Sequence, residues 1–207
     1  MRALICVVSA ICFSLSACST APTSAAPTSS AAAASTAPSV AATENVTFLG
    51  KQFTRKWRSK DRPVKQYEYY LANETPDDWY EMVEFQVYPS DSQGDKPAAF
   101  AARVASAFKG KYPKMPLSIY TNKKTGEVML YMLYPTSTRK ADVKRYLEFD
   151  AFKFFRDPVN KHVLCLHYAK NIEAPSASHP MSDVAAQVTN TRKAVFPAMA
   201  GFKAYRE

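Results

Sequence analysis

A sharp change of composition at Glu44 constrains the fold of this chain more than any other feature. All residues from 19 to 43 except one valine are Ala, Ser, Thr or Pro, and none is charged or aromatic. Such a segment buries too little apolar surface to offset the entropy lost on ordering, so we expect it to be disordered. Almost all charges and all but one of the aromatic residues lie in residues 45–207. The sequence therefore predicts a tether over residues 18–44 and one globular domain over residues 45–207.

The first eighteen residues have the pattern of an export signal. Arg2 supplies a positive charge, and the 13 residues from Ala3 to Leu15 are apolar apart from serines. The segment Leu15-Ser16-Ala17-Cys18 resembles the lipobox of bacterial lipoproteins. In that family the peptide is cut before the cysteine, and both its thiol and its new amino group are acylated. The resemblance implies a signal peptide over residues 1–17 and a lipid anchor, such as palmitate, on Cys18.

The residue after Cys18 bears on which membrane would hold the lipid. Ser19 is not the Asp that this resemblance associates with inner-membrane retention, so we expect the periplasmic leaflet of the outer membrane. Several acyl chains, at about 0.8 kcal/mol per buried methylene, would hold the protein there stably. The alternative is an ordinary secretory signal cut after Ala17 or Ala21.

The cysteines and the net charge indicate which covalent links and which partners to expect. Cys6 and Cys12 would leave with the signal and Cys18 would carry lipid, which leaves Cys165 without a partner for a disulfide within the domain. The chain has 27 Lys and Arg against 18 Asp and Glu, a net charge of +9, which favours anionic partners. Nucleic acid is a poor partner for an exported protein. No apolar run reaches the ~18 to 20 residues that a membrane-spanning helix requires.

Periodicity predicts strands first. Residues 64–71 and 79–88 alternate apolar and polar side chains, which is typical of half-buried antiparallel strands. In the second segment one face is expected to carry Trp79, Val83, Phe85 and Val87, opposite Glu84 and Gln86. Further strands are predicted over residues 117–121, 127–134, 144–156 and 162–170. The strand over residues 127–134 is apolar on both faces, so we expect it to be central.

Two helices complete the pattern. Asp95 can cap the first and Pro97 suits its first turn, while Gly110 is expected to end it. The second helix is predicted over residues 182–196 and should end near Pro197. The order of elements indicates an α+β domain, with an antiparallel sheet of about six to seven strands and two helices packed against it.

One segment of the sequence resembles a known group of proteins. Residues 69–83, followed by a strand and the Pro97 helix, resemble a group of uncharacterised bacterial lipoproteins. The order of elements is also similar to the PsbP-like fold of DcrB-type envelope lipoproteins and small secretion chaperones. Proteins of that fold are mostly non-catalytic binding or assembly modules, and the resemblance implies such a role. It carries over no catalytic residue and no cofactor.

The densest basic run lies over residues 51–65, where seven basic residues stand against Asp61. If this run is extended, alternate cations share one face and could attract phosphate or carboxylate arrays. The alternative is a solvated edge strand that its lysines protect from aggregation. Arg55 is expected to lie over Trp57. The predicted anion-binding residues are Lys56, Arg58, Lys60, Arg62 and Trp57.

Two pairs of residues could carry catalysis. Cys165 and His167 lie two apart in a predicted strand and point the same way, but direct contact at that spacing is strained and Cys165 is more simply a core residue. Glu148 and Asp150 also share a face, which we expect to be the solvent face of the sheet. The three histidines are too scattered to predict a metal site.

Two main functions remain as hypotheses. The first is a non-catalytic lipoprotein that docks onto an envelope partner, either a protein or an anionic glycolipid. The second is an envelope hydrolase or redox enzyme using Cys165 with His167, or Glu148 with Asp150. A structural lipoprotein with no ligand beyond membrane and cell wall is a third reading.

Overall fold

The computed structural model describes residues 41–60, 62–89, 96–136, 145–158 and 160–202. The predicted signal peptide, Cys18, most of the tether and the predicted cap Asp95 lie outside these residues. The strands are β1 (Asn45–Phe48), β2 (Lys51–Arg58), β3 (Lys65–Tyr70), β4 (Glu81–Tyr88), β5 (Leu117–Thr121), β6 (Val128–Thr136), β7 (Tyr146–Arg156) and β8 (Val163–Glu173). The helices are α1 (Pro97–Lys111) and α2 (Met181–Gly201).

All eight strands form one antiparallel sheet in the order β1-β2-β3-β4-β8-β7-β6-β5. The predicted α+β class is therefore confirmed, with eight strands instead of six or seven. The additional strand is β1, which joins β2 through Leu49 and Gly50 at φ 51° and 73°. Positive φ at both positions is typical of a two-residue hairpin turn. Leucine rarely adopts a positive φ, so Leu49 is not a residue from which this turn would be predicted.

The two helices cover opposite faces of the sheet. Helix α1 buries Phe100, Val104 and Phe108 against one face, here called the α1 face. Helix α2 buries Val184, Val195 and Met199 against the other, the α2 face. Neither helix is long and apolar enough to cross a membrane, as far as the described residues go.

The structure corrects three expectations about the strands. Strand β4 was expected to be half-buried, yet all eight of its residues are buried. Trp79 precedes β4 and packs with Met82 on the α1 face, not with Val83 on the α2 face. Strand β6 lies next to the edge strand β5 and is not central. Its two apolar faces arise because one is under α1 and the other is half-buried beside α2.

Helix α2 also extends past its predicted end. It continues through Pro197 to Gly201, although a proline in a helix interior removes one hydrogen bond. Val195 and Met199 lie on either side of the proline, and both are buried in the core of the α2 face. Packing of these two side chains therefore outweighs the local preference to stop.

Candidate functional site

Buried polar side chains form a row across the α1 face. They come from β3, β4, β6, β7 and β8, where each occupies a position that alternates with apolar residues facing α2. We call this row the buried polar cluster. It consists of Gln66, Glu68, Glu84, Gln86, Tyr134, Glu148, Asp150 and His167.

His167 lies at the centre of the buried polar cluster. Register places it directly opposite Glu84 on β4 and Phe152 on β7. Its Nδ1 lies 2.9 Å from Glu84 Oε2 and its Nε2 lies 3.2 Å from Asp150 Oδ1, the latter without regular hydrogen-bond alignment. The imidazole stacks on the Phe152 ring, with centroids 4.0 Å apart. Two carboxylates and an aromatic ring thus fix its orientation.

The charge state of His167 follows from these contacts. Burial alone would lower its pKa, but the carboxylates of Asp150 and Glu84 outweigh that effect and raise the pKa to about 10. The ring is therefore an imidazolium at neutral pH. With a carboxylate at each nitrogen, it is not available as a general base.

The two carboxylates of β7 are buried, which corrects the expectation that Glu148 and Asp150 decorate the solvent face. The Tyr134 hydroxyl lies 2.8 Å from Glu148 Oε1 and 2.8 Å from Asp150 Oδ2. Burial, together with Asp150 and Glu148, raises the pKa of Tyr134 well above its ordinary value. The phenol stays protonated and can donate to either carboxylate.

Cys165 points to the same face as His167, as predicted, but the two do not form a nucleophilic pair. Cys165 is buried, and burial followed by the nearby Glu84 raises the pKa of its thiol well above the ordinary value. Both nitrogens of His167 face carboxylates instead. A reactive thiolate needs a lowered pKa and an adjacent base, and this arrangement provides neither.

Metal chemistry gains no support from the described part of the chain. No group of three or more His, Cys, Asp or Glu side chains there has an arrangement suited to a metal ion.

The basic run is divided by the fold. Two of its cations are neutralised: Lys51 Nζ lies 2.8 Å from Glu81 Oε1, and Arg55 forms an ion pair with Glu44. Arg55 lies over the ring of Tyr67, not over Trp57 as expected. These ion pairs connect β2 with the start of β4 and with the residue before β1.

The predicted common face of Lys56, Arg58, Lys60 and Arg62 is wrong, because β2 has a bulge between Arg55 and Trp57 and ends at Arg58. A bulge changes which face the following side chains occupy. Lys56 reaches away to the carbonyl of Ala72, 3.1 Å from its Nζ. Trp57 is half-buried opposite Glu68, on the side of α1. All four cations are nevertheless exposed.

Sequence reasoning missed Glu84 as the partner of His167. Both residues occupy polar positions within otherwise apolar strands, which is the signal that could have indicated a buried pair. Their sequence separation of 83 residues meant that only the register of β4 with β8 could bring them together.

Comparison with known proteins shows that the chain belongs to a family. A family model of uncharacterised function matches residues 40–204. The chain belongs to this family. No curated protein and no solved structure gave a significant match. Family membership thus covers the whole described domain and assigns it no activity.

Proposed function

We propose that this member of the family is an outer-membrane lipoprotein that acts as a non-catalytic binding or assembly module for an anionic envelope partner. The observation that carries the proposal is the contrast in accessibility between the two sets of candidate residues. Arg58, Lys60 and Arg62 are exposed, whereas Cys165 and His167 are buried. Binding through accessible cations needs no rearrangement of the core.

The buried polar cluster then has a structural role. Its ion pair and hydrogen bonds join β4, β8, β7 and β6 across the α1 face. Such a network can specify strand register, because a slip would leave buried charges without partners. For His167 to act as a base in an enzyme, its ring would have to leave two carboxylates and lose a proton first.

Anchoring supplies the other half of the proposed mechanism. A lipid on Cys18 would confine the domain near the bilayer, and the predicted tether would set its reach. Confinement raises the local concentration of the domain around envelope partners, so a weak electrostatic contact is enough for function.

The test is a titration of the unacylated chain from Ser19 onward with lipopolysaccharide at increasing salt. The variant Arg58→Gln, Lys60→Gln, Arg62→Gln should bind about a hundredfold more weakly, since each cation near an anionic surface contributes roughly 1 kcal/mol. Binding of the unmodified chain should weaken as ions are added.

The matched control is Lys111→Gln, Lys114→Gln, Lys193→Gln, which removes the same charge from exposed positions elsewhere. It should bind almost as well as the unmodified chain. Equal losses in both variants, or binding insensitive to salt, would contradict recognition through the residues around Arg58.

A further inference from the structure

One end of the sheet gathers exposed basic residues from three connections that are distant in sequence. Strands β2, β4, β5 and β7 run in one direction, so the loops β2–β3, β5–β6 and β7–β8 leave the sheet at the same end. We call this surface the basic end. Its members are Arg58, Lys60, Arg62, Lys65, Lys123, Lys124, Arg156 and Lys161, all exposed.

Strand register shows that these loops begin at nearly the same height. Gln66 on β3 lies opposite Gln86, and the ladder continues across the sheet to β5. The remaining residues at this level are Cys165, Phe154, Val128 and Thr121. The loops therefore emerge from a common margin, and their cations form a broad array instead of separate patches.

Two acidic side chains among the described residues of the basic end are less exposed than its cations. Glu127 is half-buried and lies 3.2 Å from Lys153 Nζ, while Asp157 is buried beneath its turn. At the opposite end of the sheet, Asp77 is exposed, and Glu74, Asp78 and Glu173 are half-buried beside the basic residues of that end. Among the described residues, the larger group of exposed cations lies at the basic end.

We infer that the basic end is a docking surface for anionic phospholipid headgroups of the bilayer to which the chain is tethered. This inference rests on the proposed lipid anchor and names the partner of the cations around Arg58. A broad array of lysines and arginines on several loops matches a planar layer of phosphates.

The path of the chain points the same way. Asn45 pairs with Thr54 and Phe48 pairs with Lys51, so β1 runs away from the basic end. The residues before Asn45 therefore continue toward that end, from a level that matches Tyr70 and Met82 at the opposite margin of β3 and β4. As a flexible coil, the 25 residues from 19 to 43 of the predicted tether would span on the order of 25 to 30 Å. Electrostatic attraction acts within about 8 Å at physiological salt. The tether therefore keeps the domain close to the bilayer, and the cations orient the basic end toward the phosphates.

The test uses the lipidated full protein reconstituted into phosphatidylcholine vesicles with or without phosphatidylglycerol. A water-soluble amine acylating reagent reports the accessibility of each lysine by mass spectrometry. Labelling of Lys123, Lys124 and Lys161 should fall several-fold when phosphatidylglycerol is present and recover at high salt. Lys111, Lys114 and Lys193 provide the internal control and should label equally in both vesicles.

A variant separates this inference from the proposed function. Lys123→Gln, Lys124→Gln, Lys161→Asn leaves Arg58, Lys60 and Arg62 in place, and Asn suits the φ of 61° at position 161. Protection of Lys60 should then weaken several-fold. If the protein stays on the vesicles but its basic-end lysines label equally with and without phosphatidylglycerol, the docking inference is overturned while the anchor stands. If the protein does not stay on either kind of vesicle, both the docking inference and the proposed lipid anchor are contradicted.

Discussion

His167 holds a full positive charge inside the sheet because its neighbours in space are carboxylates. Glu84 and Asp150 provide these carboxylates, and they come from the strands on either side of β8. The pair of β7 carboxylates could be placed on one face from sequence, since residues two apart in a strand point the same way. Their burial could not be predicted, because it depends on which face a distant helix covers. The same limit applies to the pairing of Glu84 with His167.

Replacement of His167 by glutamine should destabilise the protein by about 3 to 5 kcal/mol, because it removes the cation from two buried carboxylates. The measurement is the free energy of unfolding from urea denaturation. His179→Gln serves as the control, since that histidine is only half-buried and near a single polar partner. Its effect should stay within about 0.5 kcal/mol.

The pH dependence of this difference is a separate prediction. The pKa of His167 is raised from 6.5 to about 10 in the folded protein, so its charge stabilises the fold fully below pH 6.5. That contribution should decline as the pH rises from 6.5 through 10. The stability gap between the unmodified chain and His167→Gln should narrow over this range. A gap that is constant or widens would show that the imidazolium is not the stabilising form.

At the scale of elements, local signals predicted most strands and both helices. The turn at Gly126, with φ 72°, and the helix beginning at Pro97 are confirmed because glycine and proline act on their own backbone. The β2 bulge and the length of α2 were not predictable in this way. Each depends on packing against other elements, which overrides local preference.

Pro197→Ala tests how strongly packing overrides the proline in α2. Position 197 is exposed, and an alanine there restores a backbone N–H that can join the helix. Alanine also leaves the unfolded chain more conformational freedom, which offsets part of the gain. The protein should therefore be stabilised by about 1 to 2 kcal/mol. Pro180→Ala is the matched control, because Pro180 occupies the N-cap with extended backbone and interrupts no helix. Chemical denaturation should show no gain there. A loss of stability on Pro197→Ala would mean that α2 needs the proline to pack correctly.

In the whole molecule, the buried polar cluster and the exposed cations occupy different parts of the sheet. Its covered faces hold the core and the buried polar cluster, while one of its ends presents cations from three loops. The net charge of +9 predicted an anionic partner but not the location of the charge. The basic run over residues 51–65 supplies only part of the basic end. The rest comes from hairpins whose proximity depends on strand order.

We propose that a lipid on Cys18 holds the binding domain at the membrane. Cells expressing the full chain should incorporate a fatty-acid probe into this protein, and the protein should remain in the membrane fraction after spheroplasts form. Cys18→Ala should abolish incorporation and release the domain, whereas Cys165→Ala should keep both the label and the membrane location. Equal incorporation into the unmodified chain and Cys18→Ala would contradict the proposed lipid anchor.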